Sequence, residues 1–211
     1  MFNRFTKAFF TRVFSPIARL LLSWGVSPDV VTLVGTVGVC AGALIFFPQG
    51  ELFWGVMVIT AFVFSDIIDG TMARMSGRSS VWGAYLDSTL DRFADGAIFA
   101  GLVLYYAGHE GDDQLMASLA LAVLVLGYLV SYSRARAEGL GMQANVGVAE
   151  RSERLVFTLI ATGFVGIGVT HYLLMAVLAI LAVLSVVTIF QRILMVRRQA
   201  LAREAAGQGL I

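Results

Sequence analysis

The sequence has a single cysteine among its 211 residues, together with only three prolines and two histidines. One cysteine cannot build a disulfide framework or a zinc site, so Cys40 is expected to be a packing residue in an apolar segment. His109 and His171 are expected to be loop residues rather than metal ligands. Disulfide-rich secreted domains and cysteine-based metal centres are therefore excluded.

Charge is also scarce, at 14% of the residues, while 58% are hydrophobic. Soluble proteins have roughly 25% charged and about 45–50% apolar residues, so this composition is typical of a membrane protein. Apolar runs approach the ~20 residues needed to cross a bilayer. They predict one all-α domain over residues 1–211, a polytopic bundle of six transmembrane helices. The predicted spans are approximately 30–47, 52–73, 83–107, 115–137, 154–170 and 172–194.

Both ends of the chain are predicted to lie outside the bundle. In residues 1–22 the large apolar side chains fall on one helical face and the polar ones lie largely opposite, which favours a juxtamembrane amphipathic helix in the interface. Charged residues interrupt this segment, so a signal peptide is disfavoured. Residues 195–211 carry scattered charge and small residues, and they are expected to form a cytoplasmic tail that is either a frayed helix or disordered.

Lysine and arginine are divided unevenly between the loops. If six spans alternate in direction, loops 48–51 and 108–114 and the turn near Thr170 share one side, and they contain no lysine or arginine. Every basic residue then falls on the other side, with both termini. The positive-inside rule places that side in the cytoplasm.

Two aspartates lie near the end of the second predicted span, and two more lie near the start of the third. Asp66 and Asp69 are three residues apart, and Asp87 and Asp91 are four apart, so each pair shares one helix face. Carboxylates in a membrane segment cost several kcal/mol unless they are compensated. Clustered oxygen ligands suit Mg²⁺, Mn²⁺ or Ca²⁺. Ion pairing with nearby arginines, or the cation pathway of a transporter, is the alternative interpretation of the spacing.

The residues around these aspartates form a pattern with eight fixed positions over 26 residues, Asp66-x2-Asp69-Gly70-x2-Ala73-Arg74-x8-Gly83-x3-Asp87-x3-Asp91. The pattern resembles the signature of the CDP-alcohol phosphotransferases. The resemblance implies an enzyme of phospholipid biosynthesis in the bacterial cytoplasmic membrane, with its active site facing the cytoplasm. It also implies a homodimer and a Mg²⁺ cofactor, with Mn²⁺ as an alternative and two ions as the expected number.

The resemblance further implies roles for individual residues. Asp66, Asp69 and Asp87 would bind one metal ion, and Asp66, Asp87 and Asp91 a second. Asp91 would be the catalytic general base. The CDP-linked lipid would be bound by residues at the start of the first span and around the signature, namely Asp29, Val30, Val31, Thr32, Asp66, Gly70, Ala73, Arg74 and Ser80.

Five arginines on the predicted cytoplasmic side are candidates for binding the acceptor alcohol: Arg134, Arg136, Arg151, Arg154 and Arg192. Guanidinium groups suit a phosphorylated, dianionic acceptor. The alternative is the ordinary basic bias of cytoplasmic loops, with its attraction to anionic lipid.

The segments 27–32, 131–138 and 150–155 resemble those of the actinobacterial phosphatidylinositol phosphate synthases. This resemblance implies that CDP-diacylglycerol reacts with inositol 1-phosphate to give phosphatidylinositol phosphate and CMP. Glycerol 3-phosphate, which would give phosphatidylglycerophosphate, is the alternative acceptor. A cation-coupled transporter is the alternative from another functional class.

Overall fold

The computed structural model describes residues 15–76, 80–148 and 150–206, apart from the side chain of Asp66. All regular structure in this part of the chain is helical, which confirms the all-α prediction. Helix α1 covers residues 15–23. It is followed by α2 (Pro28–Ala41), α3 (Leu52–Val63), α4 (Ser65–Met75), α5 (Val81–Ala107), α6 (Gln114–Gly139), α7 (Arg151–Gly166) and α8 (Tyr172–Ala205). A π-helical turn, Gly42–Phe46, and a 3₁₀ turn, Phe47–Gln49, extend α2.

Four helical segments in the described residues are long and apolar enough to cross a membrane: Pro28–Gln49, Leu52–Met75, Gln114–Gly139 and Tyr172–Ala205. Each corresponds to a predicted span, and the protein is a membrane protein. The other two predicted spans correspond to α5 and α7. Helix α5 has Asp87, Asp91, Arg92 and Asp95 in its first half, and α7 has 16 residues.

Three features of the helices differ from the predicted boundaries or lie beyond them. The second predicted span is interrupted at Phe64, directly before the residues that carry Asp66 and Asp69. Helix α8 continues to Ala205, so most of the predicted tail is helical. Residues 15–23 of the predicted amphipathic segment are helical, with Ala18 fully buried, whereas residues 1–14 lie outside the described residues.

The chain divides into two compact units, Met1–Leu102 and Val103–Ile211. In the first unit, α2 packs against α3 and α4 through glycines. A Cβ at Gly38 would lie 2.3 Å from Cγ of Phe62, and one at Gly35 would lie 1.8 Å from Oγ of Ser65. Glycine is therefore required at both positions for this close approach. The contact brings the start of α4 next to α2.

In the second unit, both α6 and α7 pack against α8. The buried face of α8 repeats every three or four residues, as an amphipathic helix requires. It begins with Leu174, Leu178 and Leu181 and continues with Ser185, Thr188 and Arg192. The face therefore changes from apolar to polar along the helix, and its polar end lies on the same part of α8 as the contacts to the loop before α7.

Candidate active site

Asp69 lies in α4 with only 7% of its surface exposed. The hydroxyl of Thr32, in α2, lies 2.6 Å from Asp69 Oδ2 and 3.1 Å from the carbonyl oxygen of Pro28. A threonine hydroxyl has one proton, and the shorter distance assigns it to the carboxylate, where a charge-assisted hydrogen bond is the stronger one. The bond joins a predicted metal ligand to a predicted lipid-binding residue across 37 positions of the chain.

The other predicted lipid-binding residues of α2 form its first turn. Ser27 is the N-cap, and its hydroxyl accepts a hydrogen bond from the amide of Val30 at 3.4 Å. Pro28 stands in the first turn, where its fixed φ and missing N–H are compatible with the start of a helix. Asp29, Val30, Val31 and Thr32 are therefore presented at a helix N-terminus, which carries a partial positive charge suited to phosphate.

Ser80, Gly83 and Asp29 lie close together in the first unit. The Ser80 hydroxyl accepts a hydrogen bond from the amide of Gly83 at 2.9 Å. A Cβ at Gly83 would lie 3.3 Å from Ser80 Oγ and 4.0 Å from Asp29 Oδ1. The structure thus brings Ser80, at the start of α5, beside the first turn of α2.

Gly70 and Arg74 occupy the same face of α4. A Cβ at Gly70 would lie 3.7 Å from Nη1 of Arg74, so the guanidinium lies over the glycine. Nη2 of Arg74 donates to the hydroxyl of Thr71 at 3.1 Å. Arg74 is exposed and Ala73 is partly buried. The predicted small positions and the arginine are therefore neighbours on one helix.

Asp87 and Asp91 lie one turn apart on α5, and Asp87 is exposed. Nη2 of Arg92 lies 4.0 Å from Asp91 Oδ2 and 3.5 Å from Asp95 Oδ2. Asp95 is buried, with 7% of its surface exposed. Arg92 therefore pairs with Asp95 and also approaches Asp91 on the same helix.

Among the side chains that the structure describes, no group of three or more His, Cys, Asp or Glu lies close enough to hold one metal ion. Asp66, predicted to contribute to both ions, lies outside that set of side chains. The four-aspartate site therefore stays a prediction. The donor chemistry does fit a hard divalent cation, because the candidates are all carboxylates and Asp69 is buried in contact with a hydroxyl donor.

In the second unit, Arg154 is the most deeply buried of the predicted acceptor arginines, with 2% of its surface exposed. Its guanidinium lies against the backbone of Gly127 in α6. A Cβ at Gly127 would lie 3.2 Å from Nε and 3.3 Å from Nη2 of Arg154. Any larger residue at position 127 would therefore displace the guanidinium.

Arg192 is also buried, with 5% of its surface exposed. Its Nε donates to the carbonyl oxygen of Val146 at 2.9 Å, and its Nη1 donates to the carbonyl oxygen of Val130. A guanidinium has five N–H donors, so these two bonds fix its plane and leave further donors for an oxyanion.

The remaining three predicted acceptor arginines are less buried. Arg134 is exposed and pairs with Glu138 one turn later on α6, with Nε 2.9 Å from Oε1. Arg136 is exposed, and Arg151 is the first residue of α7. The amide of Glu150 donates to the carboxylate of Glu153 at 3.0 Å and closes the N-terminus of α7. Surface ion pairs such as Arg134–Glu138 contribute little stability, so this arginine can exchange partners readily.

A groove of about 910 Å³ lies between the loop before α7 and the C-terminal half of α8. Its polar lining includes Gln143, Asn145, Glu150, Gln191 and Arg198. The groove adjoins the Val146 carbonyl that holds Arg192. Of these five lining residues, only Glu150 lies in a segment that was singled out from the sequence, the segment 150–155.

Residues 25–196 match the model of the family CDP-alcohol phosphatidyltransferase. The phosphatidylinositol phosphate synthase of Streptomyces avermitilis is 53% identical over 212 residues, covering 98% of this chain and 86% of the relative. A crystal structure of the Mycobacterium tuberculosis phosphatidylinositol phosphate synthase with CDP-DAG bound is similar with a TM-score of 0.83. It is 41% identical, and the match covers 88% of this chain and 94% of that one.

A second structure of the Mycobacterium tuberculosis enzyme, in complex with manganese and citrate, matches with a TM-score of 0.82 and 43% identity. That match covers 87% of this chain and 88% of the other. The chain belongs to the CDP-alcohol phosphatidyltransferase family, and the family predicted from the aspartate signature is confirmed. It is a membrane enzyme of phospholipid biosynthesis.

Gly127, which lies against Arg154, and the residues of α8 that hold the loop before α7 were not predicted from the sequence. Gly127 lies 27 positions from Arg154, and nothing in the sequence pairs them. The sequence does contain a pattern that could have identified three of these residues. Together with Arg192, they form a polar stripe on one face of α8: Thr188, Gln199 and Arg203. A polar stripe at the end of a membrane helix indicates a contact with polar backbone.

Proposed function

We propose that the protein transfers a phosphatidyl group from CDP-diacylglycerol to inositol 1-phosphate, giving phosphatidylinositol phosphate and CMP. The observation that carries the proposal is the hydrogen bond between Thr32 and buried Asp69, which joins the start of α2 to the family signature. The names of the relatives, at identities of 41–53%, support inositol phosphate as the acceptor.

Asp91 would remove the proton from the acceptor hydroxyl as its oxygen attacks the phosphorus that carries diacylglycerol. A new P–O bond forms to the acceptor, and the P–O bond to CMP breaks. Asp66, Asp69, Asp87 and Asp91 would hold Mg²⁺ or Mn²⁺, two ions in our proposal. When bound, the metal neutralises charge on the diphosphate and on the leaving CMP. Thr32 would keep Asp69 oriented throughout.

The first turn of α2 and the residues around Gly70 would bind the nucleotide part of the lipid. The helix N-terminus at Asp29–Thr32 carries a partial positive charge suited to phosphate, and Ser80 lies beside it. Gly70 and Ala73 present little side chain, so a ligand can approach the α4 backbone closely. Arg74, which lies over Gly70, would contact phosphate.

Arg154 and Arg192 would form the fixed part of the acceptor-phosphate site, and Arg134, Arg136 and Arg151 its adjustable part. The two buried guanidinium groups are held against backbone before any acceptor arrives. Ordering them therefore costs little on binding. Exposed arginines must lose rotamer freedom when they bind.

We further propose that all six predicted helices cross the bacterial cytoplasmic membrane. Helix α5 has 27 residues, and at about 1.5 Å per residue it exceeds the ~30 Å hydrocarbon thickness. Both termini and the active site would face the cytoplasm, in accord with the distribution of arginine and lysine. Residues 1–22 would lie in the interface, and the enzyme would act as a homodimer.

The acceptor assay tests the proposed function directly. Purified protein is given CDP-diacylglycerol and Mg²⁺ with either inositol 1-phosphate or glycerol 3-phosphate, and both CMP release and the phospholipid product are measured. We expect phosphatidylinositol phosphate as the main product. A strong preference for glycerol 3-phosphate would reject the inositol assignment. Cation flux in liposomes without any CMP release would reject the enzyme in favour of a transporter.

A further inference from the structure

Helix α8 is longer than a membrane span requires. It has 34 residues, which correspond to about 51 Å at about 1.5 Å per residue, against a hydrocarbon thickness of ~30 Å. Its C-terminal part carries Arg197, Arg198, Gln199, Arg203 and Glu204, residues suited to water rather than lipid. This part of α8 is available for contacts with a polar loop.

Gln199 binds both backbone groups of one residue in the loop before α7. Its Nε2 donates to the carbonyl oxygen of Gln143 at 2.6 Å, and its Oε1 accepts from the amide of Gln143 at 2.9 Å. The two residues are 56 positions apart. One side-chain amide therefore replaces the pair of hydrogen bonds that a neighbouring strand would supply.

Arg203, one helical turn after Gln199, holds the beginning of the same loop. Its guanidinium donates to the carbonyl oxygens of Leu140, at 3.1 Å, and Gly141. Buried Met142 and Ala144 pack beside these bonds in a cluster with Val196 and Ala200 of α8. Polar and apolar contacts thus act together on residues 140–144.

The far end of the loop is held by the preceding turns of α8. The amide of Val148 donates to the hydroxyl of Thr188 at 3.1 Å, and Arg192 donates to the carbonyl of Val146 at 2.9 Å. A Cβ at Gly147, whose φ is +157°, would lie 2.5 Å from Cγ2 of Thr188. The loop therefore lies along one face of α8 from Arg203 back to Thr188.

We propose that Gln199 and Arg203, here called the α8 clamp, are positioning residues for the acceptor. The loop that they hold joins α6, with Arg134 and Arg136, to α7, with Arg151 and Arg154. It also supplies the Val146 carbonyl that orients Arg192. The clamp would thus position the buried guanidinium groups of the second unit through this loop. This inference rests on the proposed function of those arginines.

The test uses full-length protein in detergent with Gln199→Leu, Arg203→Leu and the double substitution. Arg197→Leu is the matched control, since it lies on the same turn as Gln199 but about 200° away round the helix. Hydrogen exchange of peptides covering 140–148 is measured, together with kcat and the KM of each substrate. Gln199→Asn, which shortens the side chain by one methylene, serves if the leucine variants fail to fold.

We expect exchange in 140–148 to accelerate in the clamp variants and to stay unchanged in Arg197→Leu. The KM for inositol 1-phosphate should rise about tenfold, the effect of losing one to two net hydrogen bonds, while kcat and the KM for CDP-diacylglycerol stay within about twofold. Unchanged exchange, or faster exchange with an unchanged acceptor KM, would overturn the proposal. If the wild-type enzyme prefers another acceptor, the inositol assignment fails, and the clamp is judged by exchange and that acceptor's KM.

Discussion

The two units of the chain hold their functional side chains in different ways. In the first unit, Asp87 on α5 is exposed, Asp91 and Asp95 lie near Arg92 of the same helix, and Asp69 accepts a hydrogen bond from the hydroxyl of Thr32. In the second unit, Arg154 and Arg192 are almost fully buried, and Arg192 is fixed to backbone carbonyls 46 and 62 positions away. The basic residues are thus fixed by the protein itself, whereas a bound cation would complete the contacts of the acidic residues in our proposal.

This difference leads to a division of kinetic effects. Substitutions among the aspartates should change kcat and the requirement for metal, because those residues would act on the reacting groups. Substitutions around the buried arginines should change the KM of the acceptor, because their role would be to bind an anion in a prepared geometry. An aspartate variant that changed only the acceptor KM, or a variant at a buried arginine that changed only kcat, would contradict this division of roles.

The largest effect is expected for Asp91→Asn. Asparagine keeps the size of the side chain but cannot accept a proton, so kcat should fall by about 10²–10⁴-fold, the usual contribution of a general base. CMP release measures turnover, and calorimetry measures binding of CDP-diacylglycerol, which should be largely retained. Turnover near that of the wild type would remove Asp91 from the role of base.

Arg192→Lys should have the next largest effect. A lysine ammonium is a compact charge without the planar fork, so it cannot bind the Val130 and Val146 carbonyls and an incoming phosphate in the same geometry. We expect the acceptor KM to rise roughly 30-fold, which corresponds to about 2 kcal/mol of binding free energy. The KM for CDP-diacylglycerol should be nearly unchanged. Arg197→Lys, an exposed position on the same helix, is the control. Equal acceptor KM values for the two variants would contradict the anchored role of Arg192.

The parts of this protein that sequence predicts well are those fixed by local spacing. Helix locations follow from apolar runs, and the pairs Asp66–Asp69 and Asp87–Asp91 follow from helical periodicity. The break at Phe64 was not predicted, and the continuation of α8 to Ala205 was left open, since the tail was expected to be either a frayed helix or disordered. The second depends on Gln199 and Arg203 finding partners at Gln143 and Leu140, more than 50 positions away. The polar stripe on α8 indicates which face makes such contacts, but tertiary packing decides which backbone groups that face meets.

The candidate active site, like the fold, was predicted from the sequence only in part. The signature identified the family, but the bond between Thr32 and Asp69 became visible only through the packing of α2 against α4. Burial separated the five arginines into two fixed and three more exposed residues, a distinction that charge counting cannot make. Convergence of the four aspartates on metal stays a prediction.

Thr32→Val tests the hydrogen bond that the Thr32 hydroxyl donates to Asp69. Valine has nearly the same shape but no hydroxyl, so Asp69 loses the donor that orients it. Loss of such a supporting bond costs about 10–100-fold in metal affinity, and we expect about a tenfold rise in the Mg²⁺ concentration for half-maximal activity. Thr36→Val is the control, because that hydroxyl bonds the carbonyl of Thr32 at 2.9 Å within α2. An equal Mg²⁺ requirement in both variants would contradict the role of Thr32.

The smallest effect is expected for Gly127→Ala, a substitution in the second unit that removes no polar group. A methyl group there would lie 3.2 Å from Arg154 Nε, so the guanidinium must shift by a few tenths of an ångström. Gly139→Ala is the matched control on α6, since a Cβ there has nothing within 4 Å. Both variants gain helix propensity of at most about 1 kcal/mol, so their difference isolates the contact with Arg154. We expect the acceptor KM to rise about threefold in Gly127→Ala alone; identical KM values would show that the position of Arg154 does not limit acceptor binding.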